Sequence, residues 1–157
     1  MTEPDHEPLT IMVVDDEKNY RIVLARLFEK EGYRVLLADC PSSAMNLMRQ
    51  NEVALILTDQ CLPGNGGLLF CAMAREEFGD IPCLLFTANA TRITRNDLSR
   101  AGVVSCLSKP FDNQHMLKVV ADALQEKFSG EGVDAECRDA QIVDRADQKT
   151  FQKGVCN

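Results

Sequence analysis

The sequence predicts an α/β fold in which a parallel sheet is covered by helices on both faces. Three observations support this prediction. Short apolar runs alternate with helical patterns along the chain, and Gly- or Pro-containing turns separate many of them. The run Val53–Thr58 is almost entirely apolar, as is typical of a parallel strand buried on both faces. Five such runs alternating with five helices indicate a doubly wound sheet.

Five segments are predicted to be strands because they are short and apolar. In chain order they are Leu9–Val14, Tyr33–Ala38, Val53–Thr58, Ile81–Phe86 and Val103–Leu107. Proline cannot donate a hydrogen bond to a neighbouring strand, so Pro82 fits only near the beginning of its strand.

Helical patterns follow the five strands. Apolar residues recur at helical spacing from Tyr20 to Phe28, which predicts a stripe facing the core, namely Tyr20, Val23, Leu24, Leu27 and Phe28. The other predicted helices open at Pro41, run from Leu68 to Phe78, run from Thr91 to Ala101, and follow a cap at Asp112 as far as Phe128. The helix from Thr91 to Ala101 is predicted to be weak, because its apolar anchors are few.

The chain has room for one domain, which we place at residues 9–128. It has 157 residues, of which 45% are hydrophobic and 26% charged, an ordinary globular mixture. Residues 1–8 are predicted to form an N-terminal tail. Residues 129–157 are polar and lack periodicity, so they are predicted to be a flexible tail or a linker to an absent output domain.

Composition also narrows the location and the partners. The net charge of −7 argues against direct nucleic-acid binding by this chain. No apolar run approaches the roughly 18 residues that a membrane span needs, and the N-terminus does not resemble a secretory signal. Seven cysteines without C-x-x-C spacing are predicted to be reduced packing residues in a cytoplasmic protein.

Chemically active side chains follow four of the predicted strands. Asp15 and Asp16 follow the first strand, Asp59 the third, Thr87 the fourth and Lys109 the fifth. Parallel strands end at the same sheet edge, and ligands of such sheets bind there. With the first and third strands adjacent, the three carboxylates would meet in one crevice.

Clustered carboxylates repel one another, so they either share protons or bind a cation. Hard oxygen ligands in a crevice that faces water suit Mg²⁺, which commonly handles phosphate groups. A lysine and a threonine nearby offer a positive charge and a hydroxyl donor to phosphate oxygens. A carboxylate that the metal does not fully engage can attack phosphorus.

This set of residues resembles the receiver domains of two-component response regulators over roughly residues 9–128. The matching segments are Ile11-Met-Val-Val-Asp-Asp-Glu17, Leu57-Thr-Asp-Gln-Cys-Leu-Pro-Gly64, the pair Thr87-Ala88, and Leu107-Ser-Lys-Pro-Phe111. The resemblance implies a flavodoxin-like sheet with the strand order 2-1-3-4-5 and five helices. It further implies a signalling domain that accepts a phosphoryl group, rather than a turnover enzyme.

The resemblance also implies roles for single residues. Asp59 takes a phosphoryl group from a phosphohistidine of a sensor histidine kinase or phosphotransfer protein. Mg²⁺ binds Asp15, mainly through water, and Asp16, Asp59 and the Cys61 carbonyl. Lys109, followed by a cis peptide to Pro110, contacts the phosphoryl group. Thr87 moves toward that group and changes a surface that binds a downstream output protein or domain, or that forms a phosphorylation-dependent dimer.

The sequence departs from the family pattern at three places. Cys106 stands three residues before Lys109, where family members usually have an aromatic switch residue. Val103 and Val104 occupy a common Asp pair position, and Gly66 replaces a frequent Asp. The aromatic switch and the charged dimer contacts of one transcriptional subclass are therefore in doubt.

Two alternative functions remain open at this point. A phosphohydrolase of the haloacid-dehalogenase type also uses an Asp nucleophile and Mg²⁺, but it needs a second Asp where Cys61 stands. A pseudo-receiver would bind partners without phosphorylation, although the complete acidic set and Lys109 argue against this.

Overall fold

Five short strands form one parallel sheet in the computed structural model of the chain. They are β1 (Thr10–Val14), β2 (Arg34–Ala38), β3 (Leu55–Asp59), β4 (Cys83–Thr87) and β5 (Val103–Ser108). The structure describes residues 7–64, 66–88 and 93–129, with side chains as far as residue 125.

The strand order is β2-β1-β3-β4-β5, as the resemblance implied. The chain runs from β1 to β2 on one side and then crosses to β3 on the other side of β1. Val14 of β1 is paired with Thr58 of β3, so both strands end at the same level. Strand order reverses between these two strands, which opens a crevice at their carboxyl ends.

Burial follows the position of each strand in the sheet. Every residue of β1, β3 and β4 is buried, because helices cover these central strands on both faces. The edge strands β2 and β5 are partly exposed. Strand β4 begins at Cys83, so Pro82 lies just before it and removes no ladder hydrogen bond.

Five helices alternate with the strands, as predicted. They are α1 (Lys18–Lys30), α2 (Pro41–Gln50), α3 (Gly67–Phe78), α4 (Arg95–Ala101) and α5 (Asn113–Ser129). Asp112 accepts a hydrogen bond from the Gln114 N–H at 3.3 Å, which confirms it as the cap of α5. Helix α4 begins at Arg95 rather than at Thr91, because Thr94 and Asp97 form a capping box there.

Two hydrophobic cores lie on opposite faces of the sheet. One contains residues of α1 and α5 with Ile11 and Val13 of β1. The other contains residues of α2, α3 and α4 with Met12 and Val14. Successive side chains of a strand point to opposite faces, so one buried strand supplies both cores.

Some expectations need correction or fall outside the described residues. Val23, predicted to face the core, is 51% exposed, because the buried stripe of α1 is narrower and consists of Leu24, Ala25 and Phe28. The predicted tail lies almost entirely outside the described residues. The cysteines of the described residues form no disulfide with one another, namely Cys40, Cys61, Cys71, Cys83 and Cys106. Among the described residues, no helix is long and apolar enough to cross a membrane.

Candidate functional site

The sheet edge brings together the side chains that follow the strands. Asp15 comes directly after β1, Asp59 and Thr87 end β3 and β4, and Lys109 comes directly after β5. Asp15, Asp59 and Thr87 are buried, and Asp16 beside them is exposed. The buried acids are therefore placed by the sheet, whereas Asp16 sits at the water-facing rim.

Lys109 bridges the two buried carboxylates. Its Nζ lies 3.1 Å from Asp15 Oδ2 and 3.3 Å from Asp59 Oδ2, and its side chain is only 10% exposed. The backbone of Lys109 is anchored to β4, since its N–H donates to the Thr87 carbonyl at 2.9 Å. The peptide bond between Lys109 and Pro110 is cis, as the resemblance implied.

The second oxygen of each buried carboxylate accepts a backbone hydrogen bond. The Glu17 N–H donates to Asp15 Oδ1 at 2.8 Å, and the Cys61 N–H donates to Asp59 Oδ1 at 3.3 Å. Arg21 of α1 donates to the Asp15 carbonyl at 2.7 Å. These contacts fix the direction of both carboxylates in the crevice.

Burial dominates the electrostatics of the site. Loss of solvent raises the pKa of Asp59 from 3.8 to about 6, although Lys109 opposes the shift. Burial raises the pKa of Asp15 as well, against the Glu17 N–H and Lys109. Burial disfavours the charge on Lys109, but the charges of Asp59 and Asp15 outweigh it and raise the pKa of Lys109. The site thus carries more negative charge than one lysine neutralises.

Asp16 completes a cluster suited to a cation. Oxygens of Asp15, Asp16 and Asp59 all lie within 4.8 Å of one another. Ligand oxygens of an octahedral Mg²⁺ stand about 3–4 Å apart at a metal–oxygen distance of about 2.1 Å. The donor set and its spacing therefore fit Mg²⁺, with water free to fill the outer positions.

Comparison with known proteins decides the family. The profile of the response regulator receiver domain matches residues 11–121 of this chain. The chain is a receiver domain of the response regulator family.

Relatives of this receiver domain are widespread. It is 27% identical over 124 residues to two-component response regulator ARR21 of Arabidopsis thaliana, covering 78% of this chain but only 20% of that protein. A solved CheY-like receiver domain from Methanospirillum hungatei has a TM-score of 0.72 at 20% identity, covering 79% of this chain and 99% of that one. A LuxR-family response regulator from Aurantimonas scores 0.69 at 27% identity, covering 75% and 86%.

The two cysteines singled out in the sequence of the receiver domain lie in different surroundings. Cys61 is half-buried, and its N–H contacts Asp59. Cys106 is fully buried in the α2–α4 core, paired in register with Leu85 of β4. A small thiol thus packs beneath α4 at the place where the family usually has a ring.

Sequence reasoning missed two features of the site. Tyr20 was assigned to the core stripe and Phe86 to its strand, yet both rings face the Lys109 ammonium. At Gly67, a Cβ atom would stand 2.2 Å from the Asp59 carbonyl oxygen, so only glycine lets α3 begin this close to β3. The glycine pair at residues 66–67 is the sequence signal for this close approach.

Proposed function

We propose that Asp59 accepts a phosphoryl group from a phosphohistidine of a sensor histidine kinase or phosphotransfer protein. The observation that carries the proposal is the placement of Asp59 at the end of a buried strand. One of its oxygens is held by Lys109 and the other by the Cys61 N–H, with Asp15 and Asp16 beside it.

The transfer needs an ionised carboxylate. With a pKa of about 6, Asp59 is mostly ionised at neutral pH. An Asp59 oxygen attacks phosphorus, a P–O bond forms, and the P–N bond of the donor breaks with its electron pair passing to the imidazole. Lys109 then neutralises charge on the transferred group.

Asp15, Asp16 and Asp59, with the Cys61 carbonyl, would hold Mg²⁺. Bound there, Mg²⁺ supplies positive charge that the phosphoryl oxygens need and that Lys109 alone does not provide. Asp16 is exposed and can bind the ion directly, whereas the Asp15 carboxylate already contacts the Lys109 ammonium and the Glu17 N–H. This division fits a direct role for Asp16 and a water-mediated role for Asp15.

Thr87 couples the site to an output. It ends β4, the strand that leads toward α4, and it is buried beside the crevice. Movement of Thr87 toward the phosphoryl group would shift the surface of α4, β5 and α5. That surface would bind an output protein or domain, or a second copy of the chain. The chain covers only 20% of the length of its Arabidopsis relative.

The proposal is tested by incubating the purified protein with acetyl phosphate and Mg²⁺ and measuring its intact mass. The wild type should gain one phosphoryl group, and Asp59→Asn should gain none. Asp39→Asn is the matched control, because Asp39 follows neighbouring β2 but is exposed. Stoichiometric labelling of Asp59→Asn, or an unlabelled wild type, would contradict the proposal and would favour a pseudo-receiver in the second case.

A further inference from the structure

Two aromatic rings lie beside the Lys109 ammonium, in addition to the two carboxylates that it contacts. Its Nζ lies 4.1 Å from the centroid of the Tyr20 ring and 4.7 Å from the centroid of the Phe86 ring. Both distances fall within the range of cation–π attraction, about 6 Å. Helix α1 and strand β4 supply the rings, while the lysine itself follows β5.

A third ring holds these two in place. Phe111 contacts Phe86 edge-on at 6.0 Å between centroids and contacts Tyr20 in a tilted arrangement at 6.2 Å. Phe86 is fully buried in the core beneath α1 and α5, whereas Tyr20 is half-buried at the beginning of α1. The three rings form one connected layer, which we call the aromatic box.

The box changes what the lysine can do. A lysine has four rotatable side-chain bonds, and fixing them costs rotamer entropy. Here the ring faces and the carboxylates fix Nζ before any phosphoryl donor arrives. An ammonium has three N–H groups. Asp15 and Asp59 each accept a hydrogen bond from the ammonium.

We propose that Tyr20 and Phe86 are positioning residues that hold the Lys109 ammonium against Asp15 and Asp59. The rings touch the lysine rather than the phosphoryl group, so they act on the reaction only through Nζ. The consequence for phosphoryl transfer rests on the proposed function of Asp59, whereas the position of Nζ does not.

Tyr20 offers the cleaner test, because it is half-buried and its replacement leaves the core intact. Tyr20→Leu keeps an apolar side chain and removes the ring, and Tyr20→Phe keeps the ring and removes the hydroxyl. Tyr33→Leu is the matched control, since Tyr33 is also half-buried and contacts Phe28 edge-on at 6.3 Å. Phe86→Leu is a second variant, used only if its melting curve remains cooperative.

The first readout is the proton and carbon shifts of the Lys109 ε-methylene group by nuclear magnetic resonance. Ring currents should shift these protons upfield in the wild type and in Tyr20→Phe. The upfield shift should be reduced in Tyr20→Leu, where only the Phe86 ring remains, and unchanged in Tyr33→Leu. Ordinary ε-proton shifts in the wild type would overturn the box, whether or not Asp59 is phosphorylated.

The second readout is the rate of phosphoryl incorporation from acetyl phosphate. Tyr20→Leu should slow it by about three- to tenfold, with Tyr20→Phe within about twofold of the wild type. If the rate is unchanged in Tyr20→Leu while the ring-current shift is reduced, the box does not position Lys109 for the reaction. If the wild type is not labelled at all, the proposed function fails, and the box is then judged by the ring-current shift alone.

Discussion

Helices α1 and α4 both begin near the carboxyl edge of the sheet, but they are attached to the site in different ways. Helix α1 has thirteen residues and contacts the site directly, through Tyr20 on Lys109 and Arg21 on the Asp15 carbonyl. Helix α4 has seven residues, two of them buried, and is capped by its own Thr94 and Asp97.

This difference indicates separate roles, with α1 supporting phosphoryl transfer and α4 responding to it. Helix α1 is joined to the site by the Arg21 hydrogen bond and the Tyr20 ring, so it can keep Lys109 in one geometry. Helices shorter than about 12 residues are marginal by themselves, and α4 depends on its capping box and on a few small or aliphatic contacts. Because α4 packs over Cys106 rather than a ring, it can shift without a large side chain changing its rotamer. We therefore expect substitutions at Lys109 and at its contacts with α1 to change the rate of phosphoryl transfer. Substitutions near α4 should change the conformational response to phosphorylation.

The largest expected effect is that of Lys109→Met. Loss of the ammonium removes the cation that pairs with the carboxylates of Asp15 and Asp59, so phosphoryl incorporation should slow by about 10²- to 10³-fold. Lys18→Met, at an exposed position of α1, is the control. A rate within threefold of the wild type would show that the Lys109 ammonium does not contribute to phosphoryl transfer.

The pH dependence of stability comes next. The pKa of Asp59 is raised to about 6, so the native state holds its proton at pH values where the unfolded chain has lost it. This contribution is fully present below about pH 4 and is lost as pH rises through about 6, an effect of order 2 kcal/mol. Urea titrations without metal should show this fall in the wild type relative to Asp59→Asn. Parallel pH profiles of the free energy of unfolding for the two proteins would contradict the raised pKa of Asp59.

Substitution of the exposed acid should separate metal binding from stability. Asp16→Asn removes one ligand, so Mg²⁺ affinity should fall about tenfold. The same change relieves repulsion in the cluster and should raise the metal-free melting temperature by about 1–2 °C. Saturating Mg²⁺ should raise the wild-type melting temperature. Glu29→Gln on α1 is the control. Equal Mg²⁺ affinity in both variants would show that Asp16 is not a ligand of the ion.

The smallest effects are expected on the α4 side. With beryllofluoride as a phosphoryl mimic, amide shifts of residues 93–108 should change in the wild type. Thr87→Ala should reduce these changes, whereas Cys106→Ala should leave them nearly intact, because no ring acts as the switch. The reverse pattern would show that the buried thiol transmits the signal and that Thr87 does not.

Much of the fold could be predicted because its signals are local. The apolar runs of β1, β3 and β4 are buried from end to end, and the glycine at residue 102 ends α4 in the left-handed conformation. The limits of the edge strands and of the helices are harder to predict from the sequence. These limits depend on neighbouring elements and on caps such as the Thr94–Asp97 pair, which the apolar pattern does not contain.

The acidic cluster and Lys109 could also be predicted, because each follows a strand and parallel strands end together. The aromatic box could not, for a physical reason. Tyr20, Phe86 and Phe111 belong to three separate segments, and the local pattern of each segment contains no sign of the other two rings. Only the tertiary fold brings the three rings together, with Tyr20 and Phe86 facing the Lys109 ammonium.

The most direct test of the central claim is to locate the phosphoryl group chemically. An acyl phosphate, unlike a phosphate ester, is reduced by borohydride to an alcohol, which converts a phosphorylated aspartate into homoserine. After treatment with acetyl phosphate and Mg²⁺, peptide mapping should find homoserine at position 59 and aspartate at positions 15 and 16. Homoserine at another position, or phosphate that survives borohydride on a serine or threonine, would contradict the assignment of Asp59 as the acceptor.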